Sequence, residues 1–520
     1  MPRLSSHELA IVAVFGALAL ACTVLALVGP FAVALIALAL MVAAVGFLLL
    51  LVFRRQRLAV SREAAIRSEL REVRSQLSGV QAAQQQHTEM VAHLVARGAD
   101  LTVRGDHDSA SLEALAADSM RFGNFTIVPG RVDFTVRKTV KGQQQTDNLY
   151  FKFSDRFIPS NDRIALALAT FCGTAFAEIH FELTLAKDTV DYIAGTTRSK
   201  VFATISGAPG PATSPDGIAL SFSGGFDSLS AYCVMPDDTK LVSIKFGGAF
   251  ARESDFFEHF DTHIVETNFR ELKYDQQSWT FMGVAAILYS DHLNIGYHAF
   301  GTILEGLGCK NIAAIAPPTD PIVRPQYAPR ALGVAGMTDV SCLISGLTEV
   351  GTAMILNHYK PDLIEQSLTS LSAPGEEKLY RKQLLVDIVR ERFGDNAQRT
   401  VDSTPLRRRY KFGDFIAIDL VFLYILKHRG LEAVSRVVSD LPDEAVPLVE
   451  SLSLQWYERL NPARLSFVPE FMRDQYLEKL NAAGITVYTD DDWREFFMVR
   501  EFISRHNAEL RAAMADVKSH

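Results

Sequence analysis

Between Leu9 and Phe53 the chain carries no charged residue, which restricts this segment to apolar surroundings. Gly29-Pro30 divides it into two stretches of about 20 residues, each long enough for a hydrocarbon core roughly 30 Å thick. The pattern predicts a transmembrane helical hairpin over 1–53. A secretory signal would have a shorter apolar core and a small-residue cleavage site, whereas here a second full-length stretch follows at once. Both stretches are apolar on every side, unlike a helix that packs one stripe on a globular core. Arg54, Arg55 and Arg57 follow the second stretch and Arg3 precedes the first. This bias predicts that both termini and the globular part lie on the cytoplasmic side of a bacterial-type inner (plasma) membrane, with membrane lipid as the partner of residues 9–53.

Residues 54–98 read as a helical stalk. Ile66, Leu70, Val73, Leu77 and Val80 recur at alternating steps of four and three, the spacing of a coiled-coil seam, and Val91 and Leu94 resume it after Gln84 and His87. Two readings stay open: a parallel homodimer through the stalk, or one amphipathic helix packed on its own domain. Gly98 and the polar stretch 104–111 end it.

The remainder is long enough for more than one module. A net charge of -8 argues against direct nucleic-acid binding, which usually needs a basic domain or stripe. The five cysteines, Cys22, Cys172, Cys233, Cys309 and Cys342, contain no Cys-x-x-Cys pair, so neither a disulfide framework nor a structural zinc site is expected. Residues 112–212 predict an α+β module, with strands at Phe125–Val128, Arg131–Val136 and Leu149–Phe153 and a helix near Ile164–Ile179. Lys138, Lys141, Lys152 and Arg156 read as a solvated face. The turn-forming run 207–216 marks a boundary.

Chemistry concentrates just beyond it. Gly217–Phe222 is an apolar run suited to a buried strand, and Ser223-Gly-Gly-Phe-Asp-Ser228 leads from it into a helical stretch, Leu229–Val234. Adjacent glycines let backbone amides approach a phosphate, serines add hydroxyl donors, and a helix N-terminus supplies positive dipole. Asp227 would repel phosphates unless a cation intervenes, so its expected role is to help hold Mg²⁺. Strands at Lys240–Phe246, His263–Thr267 and Asn294–His298 alternate with helices at Glu253–Phe260 and Ser278–Leu293, the pattern of a doubly wound parallel sheet. Ligands in such sheets sit beyond the strand C-termini, which places Lys245, Phe246, Gly248, His298, Gly301 and Thr302 near the nucleotide. Glu305 is a candidate for assisting Mg²⁺ or a proton transfer, against the commoner outcome of a surface glutamate.

The hexapeptide after an apolar strand resembles the PP-loop signature of the ATP pyrophosphatase superfamily. The resemblance implies a Rossmannoid, HUP-like α/β fold over 215–385 and ATP cleaved between its α and β phosphates, with an acceptor oxygen adenylated before a nucleophile displaces AMP. It also implies that Ser223, Gly224, Gly225, Phe226, Asp227 and Ser228 hold the nucleotide, with ATP and Mg²⁺ as cofactors and Asp227 as catalytic residue. Ile344-Ser-Gly-Leu-Thr-Glu-Val350 is similar to the helix start after the last strand of 7-cyano-7-deazaguanine synthase-like members. Those carry a cysteine zinc site, whereas Ser367–Leu385 has no cysteine. The acceptor substrate is not identified.

His259 and His263 fall on different elements and read as ordinary histidines. Arg324 and Arg330 occupy a proline-bearing loop, as a phosphate clamp or as plain surface. Arg407-Arg-Arg409 is a candidate contact to anionic lipid. Residues 386–520 predict a helical region with Trp456 and Trp493 in its core, and Asp414 and Asp419 argue against a third membrane span. An ATP-dependent ligase or amidotransferase-like enzyme is the first functional expectation. The alternative is a non-catalytic ATP-binding sensor or scaffold in a multi-protein system such as antiviral defence.

Overall fold

The computed structural model describes residues 117–206, 216–247, 254–318 except 255 and 258, 338–339, 343–394, 401 and 404–519. The hairpin expected over 1–53, the stalk, the turn-forming residues 207–215, Gly248, Arg324 and Arg330 lie outside them. Among the described residues no helix is long and apolar enough to cross a membrane.

β1 (Ser119–Val128), β2 (Arg131–Val140) and β3 (Gln143–Phe153) form an antiparallel meander. Pro129-Gly130 and Lys141-Gly142 supply its two-residue turns, and positive φ at both residues of the second is the geometry that matches the strands' twist. Alternation in β2 buries Val132, Phe134 and Val136 on one face. α1 (Asn161–Ala169), whose first turn is capped by Ser160, then leads to β4 (Glu178–Ala186), α2 (Lys187–Thr197) and β5 (Lys200–Ser206). The helix expected to Ile179 therefore stops at Ala169. Gly173, at φ 52°, turns the chain so that its continuation becomes β4.

The second run, β6 (Gly217–Ser221), β7 (Lys240–Phe246), β8 (Thr262–Thr267), β9 (Ile295–Phe300) and β10 (Thr338–Asp339), is parallel in the order β10-β9-β6-β7-β8. Helices cover both faces. Ile218 and Leu220 of β6 share a core with Leu229 of α3 (Phe226–Val234), whereas Ala219 and Val242 share another with Leu288 of α4 (Val284–Tyr289). A strand buried on both sides needs an unbroken apolar run, which residues 218–220 of β6 supply. The chain continues through α5 (Gly308–Ala314), α6 (Glu349–Tyr359), α7 (Ile364–Leu371), α8 (Glu377–Phe393) and α9 (Ile416–Ser435). It ends with α10 (Ala445–Ser451), α11 (Glu470–Ala482), α12 (Asp490–His506) and α13 (Ala508–Ser519). Trp456 and Trp493 are buried among these last helices, as expected.

The stretches 112–212 and 215–385, read as separate modules, contribute to one mixed ten-stranded sheet of α/β character. β3 pairs antiparallel with β8, from Phe151 opposite Thr267 to Phe153 opposite Val265, and Phe171 packs on Phe269 at 4.6 Å between ring centres. Each strand would otherwise leave an edge of unpaired amides and carbonyls, so the junction satisfies both. The division at 385/386 likewise falls inside α8.

Candidate functional site

In the parallel run the strand order reverses between β6 and β9, and the crevice beyond their C-terminal ends is where such sheets take ligands. The Ser223–Ser228 loop occupies that position. Ser223 Oγ lies 3.0 Å from Ser228 Oγ and accepts from Gly225 N at 3.3 Å, while Ser223 N donates to Ser228 Oγ at 3.2 Å. Ser367 Oγ of α7 donates to Gly224 O at 2.8 Å and holds the loop from behind. Gly224 stands at φ 72°, where a Cβ would also lie 2.6 Å from the Phe256 ring. α3 begins at Phe226, three residues before the Leu229 start that the sequence suggests, with Gly225 as an N-cap that has no side-chain acceptor. Among the described residues the amides of Phe226, Asp227 and Ser228 meet no acceptor, so the helix start presents donors to the crevice.

Gly301, just past β9, seals the other side. A Cβ there would lie 2.6 Å from Ser228 N and 2.7 Å from the Asp227 carbonyl carbon, so only glycine lets the two segments approach this closely. Beside this contact opens a cleft of about 270 Å³ that both segments line. Its polar end carries Ser223, Gly225, Asp227, Ser228, Thr302 and Lys378, and its apolar end Ile244, Phe246, Trp279, Met282 and Phe300. Of the residues assigned to the nucleotide, Ser223, Gly225, Phe226, Asp227, Ser228, Phe246 and Gly301 all line it, and Gly224 shapes the loop from beneath. Lys245 does not line it. One residue out of phase with Ile244 and Phe246, it points to the opposite face of the sheet, exposed and in register with Glu266.

Asp227 does not stand free for a metal. Lys382 Nζ of α8 lies 2.8 Å from its Oδ1, with the lysine side chain 1 % exposed. Lys382 also lies 3.4 Å from Glu349 Oε2, and Glu349 in turn pairs with Arg381, which pairs with Glu377. Burial opposes the charge on Lys382, but Asp227 and Glu349 outweigh it and raise its pKa. Glu349 begins α6, whose N-cap Thr348 accepts from Val350 N and Gly351 N, so the stretch 344–350 is a helix start as expected. Burial also works against ionisation of Glu349, yet Arg381 and Lys382 hold its carboxyl down to about 2. Its backbone N–H donates to Glu305 Oε1 and Oε2 at 3.0 and 3.2 Å. Glu305 is buried rather than on the surface, and burial, with Glu349 nearby, pushes its pKa up to about 8.

Lys378, one turn before Lys382, completes the cationic wall and makes no ion pair or hydrogen bond among the described residues. Burial, ahead of repulsion from Lys382 and Arg381, holds its ammonium below the usual lysine range, with Asp227 pulling the other way. Sequence reasoning missed Lys378, Arg381 and Lys382. Their signal is the spacing i, i+3, i+4, which lines three cations on one helix face beside the buried Leu379, Tyr380 and Leu385. Elsewhere, His263 pairs with Asp155 at 2.6 Å and serves as an ordinary structural histidine. Arg407 reaches Glu376, Arg408 stacks over Tyr410 and Phe415, and Arg409 donates to Val438 O. Among the described residues no group of three His, Cys, Asp or Glu side chains is placed to hold a metal ion.

No protein-family model matches this chain, and neither a curated protein nor a solved structure is significantly similar to it.

Proposed function

We propose that the cleft binds Mg-ATP and that the protein is a membrane-anchored PP-loop enzyme, which adenylates an oxygen of an acceptor substrate with release of pyrophosphate. The observation that carries this reading is the set of unmet amides at the start of α3, facing Lys378 across a crevice closed by Gly301. Such donors, with a half-buried ammonium opposite, suit a polyphosphate. The apolar end suits a flat base. Magnesium commonly takes one or two carboxylates together with substrate phosphates and water, and Asp227 would be such a carboxylate once bound phosphates draw Lys382 away from it. Asp227 is the carboxylate present, and a bound cation would neutralise charge developing on the phosphates. In the adenylation step the acceptor oxygen bonds to the α phosphorus as the bond to the β-bridging oxygen breaks. A nucleophile then displaces AMP. Lys378 and the α3 amides would stabilise the leaving pyrophosphate.

The Lys382 contact favours a second reading, a sensor. Phosphates that draw Lys382 from Asp227 would move α8, so ATP binding alone would be transmitted into the helices behind the sheet.

The test is incubation of the full chain with α-labelled ATP and Mg²⁺ beside Asp227→Ala, with chromatographic separation of the products. The enzyme reading expects AMP and pyrophosphate that disappear in the variant. Bound, intact ATP across candidate acceptors would point to the sensor, and no ATP binding at all would refute the nucleotide cleft itself.

A further inference from the structure

Beneath the apolar end of the cleft, β6 and β9 bring two polar side chains together on one face. Ser221 lines the cleft, and its Oγ lies 2.8 Å from His298 Nε2 and 3.2 Å from the Met282 carbonyl. His298 is fully buried against Phe300, and its Nδ1 has no partner. Burial drives the imidazole pKa down to about 3, so the ring is neutral and carries one N–H.

Which nitrogen carries that hydrogen follows from the neighbours. The Met282 carbonyl can only accept. If Nε2 carries the proton, it donates to Ser221 Oγ, Ser221 donates to Met282 O, and the unmet atom is a bare nitrogen lone pair. The other tautomer buries an N–H at Nδ1 with no acceptor and takes Ser221's hydrogen from Met282. Two hydrogen bonds are made in the first arrangement and one in the second, and an orphaned buried N–H is the rarer and costlier defect. The first arrangement uses the hydroxyl's hydrogen and one lone pair. What it leaves toward the cleft is the other lone pair, an acceptor in an otherwise apolar wall of Ile244, Phe246, Met282 and Phe300.

We propose that Ser221, oriented by His298, selects the base: it accepts a hydrogen bond from an exocyclic amino group of a flat ring seated in the apolar end, and so favours a 6-amino purine over a 6-oxo purine. Ser221 is the specificity-determining residue and His298 its positioning residue. A 6-oxo group would set an oxygen against the serine lone pair, with no donor on either side. This inference rests on the nucleotide reading of the cleft.

The test is calorimetric titration of the full chain with ATP and with inosine triphosphate, which differ at the 6-position substituent and the ring proton that goes with it. The native protein should bind ATP about tenfold or more tightly than inosine triphosphate, the scale of a lost and opposed hydrogen bond. Ser221→Ala should bring that ratio to within about threefold of unity, on the same scale. His298→Leu should lower the ratio only part of the way, because the hydroxyl is then held by the Met282 carbonyl alone and can turn to donate to a 6-oxo group, whereas His298→Gln keeps an N–H and should retain most of the selectivity. Using the ratio of two affinities from one preparation removes any loss of folded protein. Equal affinity for the two nucleotides in the native protein, or an unchanged ratio in Ser221→Ala, would overturn the inference while leaving the nucleotide cleft standing. Failure to bind either nucleotide would overturn both.

Discussion

Lys382 reaches across 155 positions of chain to close a 2.8 Å ion pair with Asp227, the acidic residue of the glycine loop. The lysine is almost fully buried and the aspartate partly so, which makes the pair unequal. Removing the lysine leaves Asp227 and Glu349 short of a cation in low-dielectric surroundings, and uncompensated buried charges of this kind cost about 3–5 kcal/mol. Lys382→Met is expected to lose stability on that scale in urea denaturation. Asp227→Asn should lose less, because Glu349 still faces the lysine. The double variant should be more stable than the sum of the two losses predicts. Simple additivity would show that the contact carries no coupling.

The two glutamates next to that lysine titrate in opposite senses. Glu305 has an ordinary value near 4.5 when unfolded and about 8 when folded, so between these limits the folded state binds more protons and stability falls as pH rises. Glu305→Gln removes that dependence. Relative to the native protein it should therefore gain stability from pH 5 to pH 8, by at most about 1.4 kcal/mol per pH unit. Glu349, held at about 2 when folded, works the other way: its contribution is complete above about 4.5 and is lost as pH falls toward 2. Denaturation midpoints of native, Glu305→Gln and Glu349→Gln proteins at pH 3, 5 and 8 separate the two effects. A flat difference between native and Glu305→Gln would remove Glu305 from the titrating set.

The parts of this site that were legible in the sequence are those written in local signals. β7 is read at Lys240–Phe246, its observed limits, because a β-branched apolar run bounded by turn formers has no competing helical period. The loop is legible because strand, glycines and helix start are contiguous. Lys245 is misplaced because proximity to a strand end does not say which face a side chain takes. That is decided by phase, and Phe246 takes the cleft. The cationic wall was missed because the i, i+3, i+4 spacing of Lys378, Arg381 and Lys382 resembles the solvated charges of any amphipathic helix until α8 packs on α6 and brings Lys382 to Asp227. The shared sheet was hidden for a related reason: β3 and β8 meet through backbone pairing, which leaves no motif, and the turn-rich run between them imitates a domain linker.

Gly301 tests whether close approach of β9 to α3 is required. A methyl group there would stand 2.6 Å from Ser228 N and 2.7 Å from Asp227 C, both backbone atoms that cannot rotate aside. Gly301→Ala must push the start of α3 outward. The expected cost is about 1–3 kcal/mol of stability, the range of overpacking a tight site, with ATP affinity lost by a larger factor than stability explains. Ligand titration at a temperature where the variant is fully folded separates the two. Native affinity in the folded variant would show that the amides of α3 are not what the ligand meets.

Trp279 offers a direct optical reading of occupancy. The chain has three tryptophans; Trp456 and Trp493 are buried, whereas Trp279 is 51 % exposed at the cleft and edge-on to Phe300 at 5.5 Å. An exposed indole emits at longer wavelength than buried ones, and a base stacked on it would both shield and quench it. ATP should therefore blue-shift and reduce the emission of the native protein in a saturable way, and Trp279→Phe should abolish the signal while keeping an aromatic face. Trp279→Ala should weaken ATP binding by about 1–3 kcal/mol, the contribution of one base stacked on an aromatic ring. The two variants distinguish a stacking role from mere proximity: if Phe restores affinity and Ala does not, the ring carries the base. Equal affinity in both would place the base away from Trp279, and the apolar end of the cleft would then have to be assigned to the acceptor.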